Sequence, residues 1–212
     1  MWLNFVERIK HHEYKWKFKL VACLPLFSVL VAIDWISKWL INAYMHQGES
    51  ITIIKGLLTF DYVINPGAAK GMMDGNPTFV ITMATILTIL IFTAIIFIND
   101  KKWLIGLTIF ISGSFANLLA RAWAPMVTVG THLGVMGGVV DFIKIELPIF
   151  GLDNFILNIA DIWVSLAIAY LVVCVLIDIV KMFVQKSHSK KSKSHQDQAS
   201  DQPEAPTPNK EG

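Results

Sequence analysis

The chain has 212 residues, of which 54% are hydrophobic and only 16% are charged, against roughly 25% charged in an average soluble domain. Mean hydropathy is +0.55, and the charges gather toward the two ends, so the apolar middle excludes a soluble globular domain and reads as an integral membrane protein. A net charge of +2 leaves no basic excess for a nucleic-acid partner.

The first stretch, residues 1–19, is a basic leader with Trp2, Phe5, Trp16 and Phe18 among Arg8, Lys10, Lys15, Lys17 and Lys19. It reads as an interfacial amphipathic helix on the cytoplasmic side. A first membrane span follows at about 20–45. Its apolar run exceeds the core of a cleavable signal, and no small-x-small site follows, so it reads as a retained helix. Residues 50–65, rich in β-branched and aromatic side chains and punctuated by Gly56, predict two or three short strands. A second span is expected at 77–98 and a third at 103–123, joined by the short basic loop NDKKW. The connection 124–154 is long and rich in glycine, as functional or mobile loops are. A fourth span is expected at 155–184, followed by a polar, disordered tail at 185–212. Each span exceeds the roughly 20 residues that cross a hydrocarbon core. Lys and Arg concentrate in the leader, the NDKKW loop and the tail. With four spans these lie on one side, which puts both termini in the cytoplasm and the two long connections outside. Cys23 and Cys174 lie inside apolar segments and read as buried small hydrophobes, with no disulfide framework. No Gly-rich phosphate cradle, His-x-x-x-His or Cys-x-x-Cys spacing is present, so neither a cofactor nor a metal is expected. Nothing demands more than a monomer.

Ionisable groups within membrane segments are costly and mark candidate sites. Asp34 and Lys38 stand at i and i+4 on the first span and share a face. They form either a self-neutralising pair that orders the bundle or a support for a nearby site. Asn65 precedes the Pro66–Gly67 turn, which is either ordinary or a close backbone approach to a ligand. Asn117 and Arg121 share a face at the outer end of the third span, where an arginine can also simply snorkel. Gly113, Ser114 and Ala116 permit close helix packing there. Asp141 lies in the apolar run VVDFIKIE. Asp161 lies about seven residues into the expected fourth span, roughly 10 Å below its outer end, with Asn158 on the same face. Singly, each acid reads as structural. Together, near one interface on elements that can converge, they read as a pair. Two adjacent carboxylates cannot both ionise cheaply, so one proton is shared and one site holds both an acid and a base. No His lies in a span to build a Ser-His or Cys-His alternative.

Five motifs, in order from about Leu20 to Val184, carry a resemblance. AIDWISKWL is similar to an Asp-Gln-x-Thr-Lys segment, NPGAAKG to Asn-x-Gly-Ala-Ala-Phe/Trp-Gly, and FANLLAR to Gly-Asn-x-x-Asp-Arg. GGVVDFI is similar to Val-Val-Asp-Phe and LNIADIW to Phe-Asn-x-Ala-Asp. The chain thereby resembles lipoprotein signal peptidase (signal peptidase II), a bacterial intramembrane aspartyl protease family. The resemblance implies a mainly α membrane protein: four transmembrane helices, a small outward-facing β-cradle and an irregular outer loop. It implies hydrolysis of diacylglyceryl-modified prolipoproteins before the lipidated Cys, at the outer face of the bacterial cytoplasmic membrane. By position, Asp141 and Asp161 match the catalytic dyad. Asp34, Lys38, Asn65, Gly67, Asn117, Arg121, Asn158 and Ala160 match positions supporting dyad and substrate. Three positions depart from the pattern: Lys70 replaces the aromatic, Ala116 the Gly before Asn, and Ala120 the Asp before Arg121. The link at 122–138 is also longer than usual and reads as an insertion over the site mouth, either a lid or a lipid-facing element. Two other classes remain at this stage. Ala120 keeps open a relative that binds lipopeptides without cleaving them, and the three acids a small proton or cation transporter, although the repeat symmetry of transporters is absent.

Overall fold

The computed structural model describes residues 7, 10–67, 77–146 and 155–200, with side chains as far as Lys186. The expected sites at 68–71, including Lys70, lie outside the described residues, as do 147–154 of the connection after α3, residues 1–6, 8 and 9 of the leader and the tail beyond Ser200. Among the described residues four helices are long and apolar enough to cross a membrane: α1 (Trp16–Tyr44), α2 (Pro77–Phe97), α3 (Lys101–Trp123) and the Ile159–Lys186 stretch of α4 (Ile159–Ser200). The chain divides into two compact units, residues 1–171 and 172–212. The first holds the sheet and the helices up to Leu171. The second, where described, is the continuation of α4, whose Val172, Val173, Leu176 and Val180 are exposed apolar side chains suited to lipid.

The helices start and stop for local reasons. α1 begins at Trp16, inside the expected leader, and passes through a π-helical turn at Lys19–Cys23. Pro25 lacks the N–H that the carbonyl four residues back would accept, and the widened turn before it accommodates that gap. Lys19, the last basic residue of the leader, is buried, and its Nζ donates to Ile96 O at 2.5 Å. A cation there meets the negative end of α2. Asp100 caps α3 through Lys102 N at 2.9 Å. The fourth helix starts at Ile159, four residues later than expected, because Phe155 is irregular and Ile156–Leu157 join the sheet. It runs on to Ser200, past the expected disordered boundary at 185; Lys, Gln and Ala favour helix, and the first proline is Pro203.

α3 is the central helix of the first unit. Phe27, Phe92 and Phe115 join α1, α2 and α3 in a ring cluster with centroid separations of 5.5 to 6.3 Å. A Cβ on Gly113 would stand 2.5 Å from Ala160 O and 2.8 Å from Val164 Cγ2. The absent side chain therefore lets the start of α4 lie against α3 backbone, as the small residues led one to expect.

The two long connections, with the residues just before α4, form one antiparallel sheet of order β1-β2-β3-β4: β1 (Ser50–Ile54), β2 (Leu58–Asn65), β3 (Val139–Ile145) and β4 (Ile156–Leu157). The expected 50–65 hairpin is present, but the outer loop is not wholly irregular, since it supplies β3. Val140 and Phe142 point into a core with Ile41, Met45, Tyr62, Ile64, Ala124 and Val127. Tyr62 Oη donates to Asn42 Oδ1 at 2.6 Å, fastening the sheet to the end of α1, and burial pushes its phenol up to about 12, so the proton stays. Strand alternation then aims Val139 and Asp141 at the opposite face.

Gly113→Ala should lower stability by about 1–3 kcal/mol, the usual cost of overpacking, since backbone rather than a flexible side chain must move. Thermal unfolding in detergent reads this. A melting temperature equal to that of the parent would show that α3 and α4 do not depend on the close approach.

Candidate active site

Asp141 and Asp161 reach one cavity of about 510 Å³ from different elements. Asp141 sits on β3 opposite Val63 of β2. Asp161 is the third residue of α4, in its first turn rather than seven residues deep. The correction follows from the capping of this helix. Asn158 Oδ1 accepts from Asp161 N at 3.1 Å, while Asp161 Oδ2 accepts from Asn158 N at 3.1 Å. This reciprocal box starts the helix and fixes the acid in its first turn.

Three asparagines surround the pair, and each has its orientation dictated by an obligatory donor. Asn65 Oδ1 accepts from Gly67 N at 3.0 Å, so its Nδ2 donates to Asp141 Oδ2 at 2.9 Å. Asn158 Oδ1 is taken by Asp161 N, so its Nδ2 donates to Asp141 Oδ1 at 2.6 Å. Asn117 Oδ1 accepts from Lys38 Nζ at 2.8 Å, so its Nδ2 donates to Asp161 Oδ1 at 2.8 Å. Asn158 therefore touches both acids. Each carboxylate oxygen has one donor, which leaves lone pairs for water or substrate.

Beneath this layer, Asp34 and Lys38 are fully buried, and Lys38 Nζ donates to Asp34 Oδ2 at 2.7 Å. The pair neutralises itself within α1, and through Asn117 it is linked to Asp161. Asp34 Oδ1 also accepts from Ala160 N at 2.7 Å, so Ala160 contributes its backbone and not its methyl group. Arg121 does not snorkel. Its Nη2 donates to Gly67 O at 2.7 Å, and its Nη1 to Gly137 O at 2.9 Å and Pro66 O at 3.4 Å. It ties the turn after β2 to the entry of β3, so Ala120, itself buried, does not leave the guanidinium without acceptors.

All ten residues singled out from sequence thus join one hydrogen-bonded assembly or its cavity wall. Gly137 was missed. Its positive φ of 79° is a backbone setting that glycine accepts readily, and its carbonyl serves Arg121; the only sequence signal was the Gly-Gly punctuation. The deeper lining was missed as well: Val80, Ala84 and Leu87 from α2, and Ser114, Leu118 and Ser165 from α3 and α4. The cavity thus has a polar head with the acids and an apolar body between helices. Burial, and then the charge of Asp161, push the Asp141 carboxyl up to about 7, against the opposing pull of the Asn65 and Asn158 amides. Among the described residues no group of three or more His, Cys, Asp or Glu side chains could hold a metal ion.

The family model for signal peptidase (SPase) II matches residues 26–177. A lipoprotein signal peptidase of Staphylococcus aureus is 33% identical over 156 residues, covering 72% of this chain and 87% of the relative. One from Fusobacterium nucleatum subsp. nucleatum is 26% identical over 155 residues, covering 70% and 82%. Two solved structures of bacterial membrane enzymes, both determined by the in meso method, superpose at 25% identity. One has a TM-score of 0.63 and covers 74% of this chain and 88% of its own; the other has a TM-score of 0.61 and covers 78% and 97%. The motif order, the four apolar helices with their small antiparallel sheet and the extent of these matches agree: the chain belongs to the signal peptidase II family.

Proposed function

We propose that this protein is an aspartic endopeptidase of the membrane that removes signal peptides from prolipoproteins, cutting before the diacylglyceryl-modified Cys. The observation that carries the reading is the pair Asp141 and Asp161, bridged by Asn158 at the head of an apolar cavity between membrane helices. An acyl-bearing substrate needs such a cavity: polar where a peptide bond is hydrolysed, apolar where lipid and signal helix lie.

The division of labour follows from burial. Asp141, the more enclosed acid and the one pushed upward, holds the shared proton. Asp161 is then the base. It takes a proton from a water held between the carboxylates as that water attacks the scissile carbonyl carbon. Asp141 donates its proton to the carbonyl oxygen, giving a neutral tetrahedral gem-diol. Collapse returns a proton from a hydroxyl to Asp141 while Asp161 protonates the leaving nitrogen, and the singly protonated pair is restored. Asn65, Asn117 and Asn158 are positioning residues that hold both carboxylates, and Lys38 sets the Asn117 amide. Exclusion of bulk water strengthens these hydrogen bonds.

The same reading puts both termini in the cytoplasm and the sheet at the outer face of a bacterial cytoplasmic membrane, supported by the uneven distribution of Lys and Arg. The alternative of a relative that binds without cleaving rests on Ala120. The Asp expected before Arg121 would offer the guanidinium a carboxylate; here three backbone carbonyls accept from it instead.

The test is cleavage of a diacylglyceryl-modified prolipoprotein in detergent. Asp141→Asn and Asp161→Asn should each cut turnover by about 10³-fold or more, since acid and base act as a unit. Parental turnover in either variant would remove that acid from the chemistry. A silent parent beside an active Ala120→Asp chain would establish the non-cleaving reading.

The pH dependence has a definite sign. With a raised pKa, Asp141 keeps its proton to higher pH than an ordinary carboxylic acid, so the alkaline limb of kcat/KM should lie near 7 rather than near 4. The neutral form stabilises the fold below the ordinary carboxylate range, and that contribution is lost as pH rises through about 7. Asp141→Asn, with no charge to bury, should therefore gain thermal stability over the parent as pH rises from about 5 to 8. A gap in melting temperature that is constant with pH would contradict the raised pKa.

A further inference from the structure

Residues 124–138, APMVTVGTHLGVMGG, contain no Asp, Glu, Lys or Arg. They leave α3 directly after Trp123, where that helix ends its span. The segment is irregular but pinned. Val127 N donates to Val135 O and Gly134 N to Val127 O, both at 2.9 Å, and Val135 N donates to His132 O at 3.1 Å, closing a hairpin-like turn. The Gln47 side chain grips its base as a neighbouring strand would: Nε2 donates to Met126 O at 2.9 Å, and Oε1 accepts from Thr128 N at 2.8 Å. Ala124 and Val127 are sunk in the core beneath the sheet. Val135 packs against the same core from the other arm of the turn, and with the backbone held from both sides four apolar side chains are left facing outward. Met126, Val129, Leu133 and Met136 are 46%, 54%, 64% and 67% exposed.

Soluble surfaces seldom cluster uncharged, exposed aliphatic side chains on a rigid loop without an occupant for them. The occupant here is indicated by continuity. The loop begins at the end of a membrane-spanning helix, beside the Met45–Gly48 link that follows α1, where the Gly48 Cβ position would lie 3.2 Å from Val129. The apolar phase adjoining both helix ends is the bilayer itself. We propose that residues 126–136 form a pinned apolar hairpin seated in the headgroup–acyl boundary of the leaflet at the C-terminal end of α3, where it anchors the sheet against lipid. A rigid anchor fixes the height of the sheet, and with it Asp141, relative to the membrane, which a soluble loop of equal length would not do. The proposal stands apart from the catalytic reading, because it concerns depth and not chemistry.

Nitroxide labels on Leu133→Cys and Met136→Cys, in the full chain in nanodiscs of phosphatidylcholine and phosphatidylglycerol, test it. Cys23 and Cys174 are buried, and the parent chain checks that they stay unlabelled. Ile86→Cys, on the exposed face of α2, gives the lipid reference, and Lys55→Cys, on the exposed β1–β2 turn, the aqueous one. The ratio of oxygen to nickel-chelate accessibility at 133 and 136 should clearly exceed that at 55 and stay below that at 86, which lies near the middle of its span. Met126→Cys provides a third reporter should either of the first two lose the parental melting temperature. Ratios at all folded reporters equal to that at 55 would overturn the proposal and place the loop in water.

Discussion

Asn158 is the joint on which the site turns. A buried amide must use both its carbonyl and its amino group, and this one can do so only between two particular elements. Its carbonyl oxygen takes the N–H of Asp161, which starts α4, and its amino group reaches Asp141 on β3. The side chain thus ties the capping of a membrane helix to the placement of a strand residue. The helix start, the two-residue strand before it and the meeting of the acids are consequences of one local bond pattern.

Around that joint the polar groups form a continuous assembly from α1 to the sheet. Asp34 fixes Lys38 and receives Ala160 N, Lys38 orients Asn117, and Asn117 holds Asp161. Burying an ion pair is stabilising only when its remaining donors and acceptors are met, and losing one partner typically costs 3–5 kcal/mol. Here the two charges pair within α1, but their remaining hydrogen bonds go to Asn117 of α3 and Ala160 N of α4, so the buried pair is fully satisfied only when all three helices are in place. Arg121 performs the complementary task on the loop side. By collecting carbonyls from Pro66, Gly67 and Gly137 it closes the two chain crossings that flank Asn65 and Asp141.

Much of this was legible beforehand, and the reasons are physical. Spans are readable because a bilayer demands long apolar runs with internally paired backbone, and their boundaries came within a few residues for α2 and α3. The acids were legible because carboxylates in apolar surroundings are rare enough to require a role. The asparagines and Arg121 were located by motif order but not by partner. Arg121 looked like a snorkelling cation because its acceptors are backbone carbonyls, which have no residue identity to read. The depth of Asp161 was misjudged because an apolar run does not reveal that its first residues have left the helix to pair with β3. The seat of Lys19 was not legible for a similar reason: sequence shows a cation beside other cations, not the helix end it caps.

The sequence by itself determined what the bilayer and the cost of buried charge impose on any fold. That covers the number of long apolar helices, the two long connections between them, the strand-forming residues 50–65 and the short set of polar residues needing an explanation. Only the tertiary structure decided which oxygen faces which donor. The wall of the cavity, the grip of Gln47 on residues 126–128 and the reach of Asn158 to Asp141 all join residues from different elements. Hydrogen bonds are directional and short-ranged, so the pairing of such residues depends on packing and cannot be read from spacing along the chain.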